Sequence, residues 1–254
     1  MAYQRAYVPM KTVNLTQGYG STSGSHKISY AVDLSGQGTG KDEVFAPFDC
    51  KITKLYQPKD TKNHANTVWL TSTKKVLCAN GYYGYLTVSI THPEEITNMK
   101  LGTIYKQGDV ICREGATGNA SGNHIHLEVA LGKKAGWTLL IKGSAREYVI
   151  NNRVKPEEYL FLREDSIVKN LTYKNKKYNF KKESEMTYVV RDVPIEPLNV
   201  HNKNDYKRDS IIVGKGLYNG EQVIKFYDIG SMSYIYHYSM LAYVSSKYLK
   251  KTTQ

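Results

Sequence analysis

The chain has 254 residues, a formal net charge of +12 at pH 7 and a mean hydropathy of −0.50. A length of this order predicts one large domain or two modest ones. Hydrophobic residues make up 41% of the chain, and no apolar run approaches the ~20 residues of a membrane-spanning helix, which excludes such a helix. The aromatic share of 11%, with 22 tyrosines, excludes a disordered chain.

The positive charge is spread along the chain, with an excess of six basic residues on each side of residue 160. A spread positive field attracts polyanions in general, and it does not distinguish nucleic acid from an anionic cell-wall polymer or an acidic lipid. The three cysteines are far apart and form no CxxC pattern, which predicts buried free thiols and neither a disulfide framework nor a thiolate metal site. The first 15 residues lack the apolar segment of a secretory signal, which predicts synthesis in a cytoplasm without a signal peptide.

Short alternating or β-branched runs, separated by Gly, Asn and Ser, predict antiparallel β structure from about residue 11 to 130. The runs are KITKLY at 51–56, NTVWLTS at 66–72, YGYLTVSITH at 83–92, GDVICREG at 108–115 and HIHLEVAL at 124–131. The spacing of an amphipathic helix is absent apart from a weak match in SSKYLKK near the end. The predicted fold class is therefore mostly β.

The remaining chain divides into two parts after KPEEYLFL at 155–162. Residues 163–185 contain many lysines and few core candidates, which predicts a linker with room for an edge strand. Short strands separated by turn residues then predict a small β-barrel. We therefore predict a first domain at 1–162, a basic linker at 163–185 and a second domain at 186–254.

Histidines in the first domain suggest a metal site. His124 and His126, in the sequence H-I-H, point to the same side of a predicted strand, although two such residues are also compatible with a merely polar sheet face. His26 and Asp33 occur in STSGSHKISYAVDLSG, which places them on a loop and on the strand after it. Catalytic zinc takes three protein ligands from His, Asp, Glu or Cys and keeps a fourth position open. A set of two histidines and one carboxylate is therefore available.

Four segments in this order resemble the LytM/lysostaphin-type family of zinc metallopeptidases, which cut peptidoglycan cross-bridges and stem peptides. They span roughly residues 15–160 and read QGYGSTSGSHKISYAVDLSG, EVFAPFDCKITKLY, YLTVSITH and KQGDVICREGATGNASGNHIHLEVAL. GATGNASGNHIH fits the family's Gly-x-Thr-Gly followed by Ser, Gly and His-x-His, whereas Cys50 replaces the glycine usual in APFDCKITK. The resemblance implies an antiparallel β-sheet metallopeptidase domain.

The resemblance also implies site residues. The residues at the positions of the ligands for one Zn²⁺ per chain are His26, Asp33 and His126. The residues at the positions of the unliganded catalytic pair, which orients and deprotonates the attacking water, are His92 and His124. Tyr19 lies where relatives carry a tyrosine that donates to the developing oxyanion. Relatives usually have H-x-x-x-D, whereas six residues separate His26 from Asp33 here, an insertion that can loop out between two fixed ligands.

The second domain resembles the bacterial SH3-like wall-binding domain over roughly residues 186–254. PLNVHNKNDYKRDSIIVGKGLY and AYVSSKYLKK carry the likeness, with His201 in place of the usual arginine. The implied role is to hold an enzyme on the cell wall, which makes cleavage effectively intramolecular. In SYIYHYSM, Tyr234, Tyr236 and Tyr238 are predicted to share one strand face, as core packing or as a shallow groove.

The sequence thus predicts a monomeric, zinc-dependent peptidoglycan endopeptidase that cuts a cross-bridge or stem-peptide bond of Gram-positive walls. The predicted partners are the wall peptide and anionic cell-wall polymers, without nucleic acid. The missing signal peptide favours a phage lysin made in the host cytoplasm, which reaches the wall as a holin-released endolysin or on the virion.

Two other functions compete with this prediction. An inactive cell-wall-binding or phage structural protein on the same fold would typically lack a histidine or the aspartate, whereas all five expected positions are filled. A basic nucleic-acid-binding β protein with aromatic stacking platforms would have no use for H-x-H and Asp33.

Overall fold

The computed structural model describes most of the chain, and the statements below apply to the residues that it describes. These are residues 3–20, 26, 29–37, 41–62, 64–133, 152–195 and 197–252, with the backbone alone of 137–142 and 145–150. The chain divides into two compact units. The first unit comprises Gln4–Cys78 and Tyr83–Phe180, and the second comprises Met1–Tyr3, Ala79–Tyr82 and Lys181–Gln254.

The described secondary structure of the first unit is almost entirely β-strand, as predicted. In chain order they are β1 (Thr12–Gln17), β2 (Val32–Ser35), β3 (Glu43–Phe45), β4 (Cys50–Tyr56), β5 (Thr67–Ser72), β6 (Val76–Leu77), β7 (Tyr83–Gly84), β8 (Leu86–Thr91), β9 (Ile104–Tyr105), β10 (Val110–Arg113), β11 (Ile125–Leu131), β12 (Trp137–Lys142), β13 (Ala145–Ile150), β14 (Arg153–Val154), β15 (Phe161–Leu162), β16 (Ile167–Asn170), β17 (Thr172–Tyr173) and β18 (Lys176–Lys177). One short helix, α1 (Pro156–Tyr159), is described between β14 and β15. Neither α1 nor any other described helix is long and apolar enough to cross a membrane.

The main sheet of the first unit has the described strand order β16-β1-β2-β11-β8-β5-β4-β9, with β14 also paired to β11. The pairs along this order are antiparallel except for β16 with β1. In β11 the apolar Ile125, Leu127 and Val129 alternate with His126 and Glu128, and all five side chains are buried. Because a slip of one residue would exchange these two sets between the faces, burial of both faces fixes the register of β11.

Residues 163–185 were predicted to be a linker with room for an edge strand, and those up to Phe180 belong to the first compact unit. Strand β16 pairs in parallel with β1, and β17 and β18 form a hairpin. Tyr178 is 1% exposed and Phe180 is 4% exposed, so two aromatic side chains anchor this segment in the first unit. The many lysines hid this from sequence analysis, because they are mostly exposed and the anchoring is done by two residues among them.

The second unit contains a seven-stranded sheet in the described residues. Its strands, with the short β19 that precedes them, are β19 (Lys181–Lys182), β20 (Thr187–Val190), β21 (Leu198–His201), β22 (Ile211–Leu217), β23 (Gln222–Ile229), β24 (Met232–His237), β25 (Met240–Ser245) and β26 (Leu249–Lys251). Short 3-10 turns occur at Ser184–Met186, Arg208–Ser210 and Ser246–Tyr248. The sheet order is β22-β21-β25-β24-β23-β20-β26, around a core that includes Val200, Ile235 and Val244.

The prediction that Tyr234, Tyr236 and Tyr238 share one strand face is wrong for Tyr238. Strand β24 ends at His237, and Tyr238 lies beyond it in a turn with φ of 39°, where it is 83% exposed. Tyr236 is buried, and its ring packs against Tyr3 at a centroid distance of 5.3 Å. Tyr234 instead packs against Tyr243 of β25, with ring centroids 4.8 Å apart.

Candidate metal centre

The pairing of β2 with β11 brings Asp33 and His126 together. The two residues lie directly opposite each other in the antiparallel register, which places side chains about 5 Å apart at their Cβ atoms. His126 Nδ1 lies 3.0 Å from Asp33 Oδ1, and both residues are buried or nearly so. Sheet register alone therefore accounts for the contact between residues that are 93 positions apart in the chain.

His26 joins this pair from the segment between β1 and β2. Its Nε2 lies 3.0 Å from Asp33 Oδ2, and its ring is 4% exposed. Its other nitrogen, Nδ1, lies 3.0 Å from the carbonyl oxygen of Ala31, to which it donates in the tautomer with hydrogen on Nδ1. A second contact of this type orients the ring of a metal-ligating histidine, and here it leaves Nε2 as the ring nitrogen that faces Asp33. The long spacing between His26 and Asp33 therefore does not keep them apart.

The donor set fits a divalent transition metal. One ligand atom from each of His26, Asp33 and His126 can be chosen so that all three lie within 4.8 Å of one another. Two imidazoles and one carboxylate are a set that catalytic zinc accepts, with a further position left open. Burial by itself raises the pKa of Asp33, but hydrogen bonds from His126 and His26 outweigh it and hold the pKa of this carboxyl well below its usual range. Asp33 is thus available as an anionic ligand.

His92 and His124 lie next to this cluster. Their ring centroids are 4.8 Å apart, and His124 Nε2 is 3.7 Å from Asp33 Oδ2. Each ring places Nδ1 against a backbone carbonyl oxygen, at 2.6 Å from Thr117 for His92 and at 2.8 Å from Gly122 for His124. Burial lowers the pKa of His92 to about 4. His92 is therefore neutral at physiological pH and can accept a proton at Nε2.

Tyr19 follows β1 by two residues, and the next residue, Gly20, donates its N–H to the carbonyl oxygen of His26 at 2.8 Å. The Tyr19 hydroxyl donates to Glu157 Oε1 of α1. Tyr178 in turn donates its hydroxyl to the Tyr19 carbonyl oxygen at 2.7 Å. The structure therefore brings the five predicted His and Asp residues together, whereas the hydroxyl of Tyr19 points to a separate carboxylate.

Sequence analysis missed the residues that support this site. Glu157 and Tyr178 lie in segments interpreted as the end of the first domain and as linker. Asn66 and Thr117 hold the turn at His92, as described below. Thr117 lies in the GATG motif, which indicated the family resemblance but did not predict a contact with His92.

Comparison with known proteins gives a relative and a set of similar structures, while no protein-family model matches the chain. Morphogenesis protein 1 of Bacillus phage B103 is 36% identical to the chain over 135 residues, which are 53% of the chain and 34% of that protein. The chain therefore spans about a third of the length of this relative.

Solved structures similar to the chain include peptidases. Lysostaphin from Staphylococcus simulans has a TM-score of 0.40 at 15% identity, covering 96% of this chain and 92% of its own. The catalytic domain of the prophage-encoded M23 protein EnpA from Enterococcus faecalis has a TM-score of 0.35 at 16% identity, covering 47% and 82%. A zinc-containing peptidase from Vibrio cholerae has a TM-score of 0.37 at 20% identity, covering 51% and 37%. All three TM-scores are below 0.5.

Proposed function

We propose that this chain is a zinc-dependent peptidoglycan endopeptidase of a bacteriophage. The observation that carries the proposal is the convergence of His26, Asp33 and His126 beside a second pair, His92 and His124. The resemblance of the sequence motifs to the LytM/lysostaphin-type family supports the chemistry. The relative in a Bacillus phage supports the phage origin.

Zinc, when bound, supplies a Lewis acid for the scissile carbonyl and lowers the pKa of water toward ~7. The chain contributes the remaining functions. Asp33 offers a carboxylate held anionic by its two histidine neighbours, and His26 offers Nε2. His92, which burial keeps neutral, accepts the proton of the attacking water at Nε2. His124 Nε2 faces the same space and orients that water.

The substrate in this proposal is a peptide bond in the cross-bridge or stem peptide of a Gram-positive wall. The second unit holds the enzyme on the wall as an SH3-like domain, and the +12 charge attracts anionic wall polymers. The protein acts as a monomer after synthesis in the host cytoplasm, either as an endolysin or as part of the virion. Light scattering of the purified chain tests the monomer directly.

The central test measures metal and products together. We expect one zinc ion per folded chain by mass spectrometry of the metal, and new peptide termini after digestion of walls from several Gram-positive hosts. The masses of these termini identify the bond. Folded, zinc-loaded protein that releases no peptide from any wall would contradict the endopeptidase.

Substitutions at the two ends of H-I-H separate the proposed roles. His124→Ala should lower turnover by about 10²-fold or more, because the attacking water is no longer oriented, and should retain zinc. His126→Ala should lose zinc as well as activity, because it removes one of three ligands. Loss of zinc in His124→Ala with retention in His126→Ala would mean that the ligand and the water-orienting residue are interchanged.

A second candidate function is a phage structural or wall-binding protein without activity. The name of the relative, a morphogenesis protein, favours it, since that name describes particle assembly. This candidate predicts binding to walls with no release of peptide. The digestion experiment therefore decides between the two functions.

A further inference from the structure

His92 has an uncommon backbone conformation. Its φ is 76°, in the left-handed region that residues other than glycine enter only at a cost in free energy. Histidine has no intrinsic preference strong enough to impose this conformation, so the surroundings must hold it. Two residues distant in the sequence, Asn66 and Thr117, make the hydrogen bonds that do so.

Asn66, which immediately precedes β5, binds three consecutive residues of the turn. Its carbonyl oxygen accepts the N–H of His92 at 3.0 Å. Its side-chain amide donates to the carbonyl oxygens of Pro93 at 3.2 Å and Glu94 at 2.9 Å. Asn66 is 5% exposed, so these bonds are shielded from competing water.

Thr117 connects Asn66 to the imidazole ring of His92. Its Oγ1 accepts the N–H of Asn66 at 3.0 Å and donates to the carbonyl oxygen of Pro93 at 3.2 Å. Its own carbonyl oxygen lies 2.6 Å from His92 Nδ1. One residue thus contacts the ring of His92, the turn after it and the residue that fixes its backbone.

Two glycines allow the GATG segment to approach this turn. A Cβ atom on Gly115 would lie 2.5 Å from the backbone nitrogen of Glu94 and 2.8 Å from the carbonyl oxygen of His92. Gly118 has a φ of 74°, and a Cβ atom there would lie 2.6 Å from the backbone nitrogen of Ala65. The two glycines of the motif therefore allow Thr117 to contact His92, because a larger residue at either position would clash with the backbone.

We propose that Thr117 and Asn66 are positioning residues for His92. They hold its backbone in the left-handed conformation and its ring with Nδ1–H on the Thr117 carbonyl oxygen, so that Nε2 is the proton acceptor. This inference rests on the proposed function, in which His92 accepts a proton. Displacement of a reacting group by about 1 Å can reduce a rate by 10²-fold, so loss of these bonds should act on turnover.

The test compares three threonine variants. Thr117→Val keeps the shape of the side chain and removes both Oγ1 hydrogen bonds, whereas Thr117→Ser keeps them. Thr71→Val is the matched control, because Thr71 is also buried and its Oγ1 also has two partners, Thr53 and Thr87. It lies on β5 about 16 Å along the strand from Asn66, at about 3.3 Å per residue.

We expect Thr117→Val to lower kcat by about 10- to 100-fold with KM within twofold of the parent and zinc retained. Thr117→Ser and Thr71→Val should stay within threefold of the parent. Asn66→Ala, which removes the donors to Pro93 and Glu94, should reproduce the loss by a different change. If Thr117→Val and Asn66→Ala do no more than Thr71→Val, the positioning role is wrong.

A readout independent of activity separates this inference from the proposed function. Long-range ¹H–¹⁵N correlation spectra of histidine-labelled protein report the tautomer of His92, with its signals assigned by their absence from His92→Gln. The parent and Thr117→Ser should show the Nδ1–H tautomer, and Thr117→Val should show a mixture. A parent without hydrolase activity but with this tautomer pattern would contradict the endopeptidase alone, whereas an unchanged tautomer in Thr117→Val would overturn the positioning role.

Discussion

Tyr19 uses its hydroxyl hydrogen in a bond to Glu157. The Tyr19 ring packs edge-on against Tyr30 and Tyr178, and Lys176 Nζ lies 3.7 Å from the ring centroid. Burial and the Glu157 carboxylate raise the pKa of Tyr19 far above its usual value, so the hydroxyl stays protonated at physiological pH. Tyr19 is therefore a permanent donor, but in the observed arrangement it donates to a protein carboxylate.

Tyr19→Phe tests which acceptor matters. The change removes the hydroxyl that donates to Glu157 Oε1, and the other oxygen, Oε2, has no described partner. A buried carboxylate without donors should destabilise the chain by about 1–3 kcal/mol. We expect a lower Tm and a kcat within threefold of the parent. Tyr30→Phe, at a 44% exposed neighbour, is the control and should change neither. A kcat loss of about 10²-fold without a change in Tm would instead support the oxyanion role.

At the scale of elements, the sequence predicted the features that local residue patterns determine, namely the strands and the direction of their side chains. Alternation of apolar and polar residues predicted the β strands, and the period of two predicted that His124, which immediately precedes β11, and His126 lie on one side. The pairing of β11 with β2 carries no local signal, because it joins residues about 90 positions apart. Only the family resemblance indicated that Asp33 would meet His126. The contacts of Asn66 with His92 and Thr117 were missed for the same reason.

The hairpin of β17 and β18 and its burial were missed for a different reason. The prediction used the overall composition of residues 163–185. In that composition the many lysines outweighed the two aromatic residues that are buried there. An edge strand such as β16 needs few apolar residues, since much of its surface faces solvent. The average composition of a segment does not reveal that two of its aromatic side chains are buried.

Truncation tests the importance of this region. A chain that ends at residue 162 lacks β16 and the buried Tyr178 and Phe180, and removal of each such aromatic costs about 3–5 kcal/mol. A chain that ends at residue 180 retains them. We expect cooperative thermal unfolding by circular dichroism for the longer chain, and a Tm at least 10 °C lower or no transition for the shorter one. Equal melting curves would show that residues 163–180 are a linker after all.

For the whole molecule, the division into units changes the distribution of charge. Residues 1–180 contain 24 basic and 15 acidic residues, whereas residues 181–254 contain 11 and 8. Most of the net positive charge therefore belongs to the part of the chain that carries the candidate metal centre. Attraction to anionic polymers and the proposed wall binding by the second unit should therefore be separable by experiment.

Deletion of residues 181–254 tests this separation. We expect the shortened chain to lose binding to whole walls more than it loses cleavage of a soluble wall peptide, because targeting raises the effective concentration only on the wall. Its remaining wall binding should weaken strongly as salt rises toward ~0.5 M, where exposed charges are screened within about 5 Å. Sedimentation with purified walls measures both effects. Equal losses on walls and soluble peptide would remove the targeting role.

The register between β2 and β11 links ion binding to the integrity of the chain. Because the three donor residues meet only when these strands are paired, an ion that needs all three favours the native state over the denatured ensemble. At a free ion concentration a hundred times the Kd, mass action adds about 2.7 kcal/mol to the free energy of unfolding. A chelator would then weaken the protein against heat and proteases, and the supply of metal would set how long the folded chain survives.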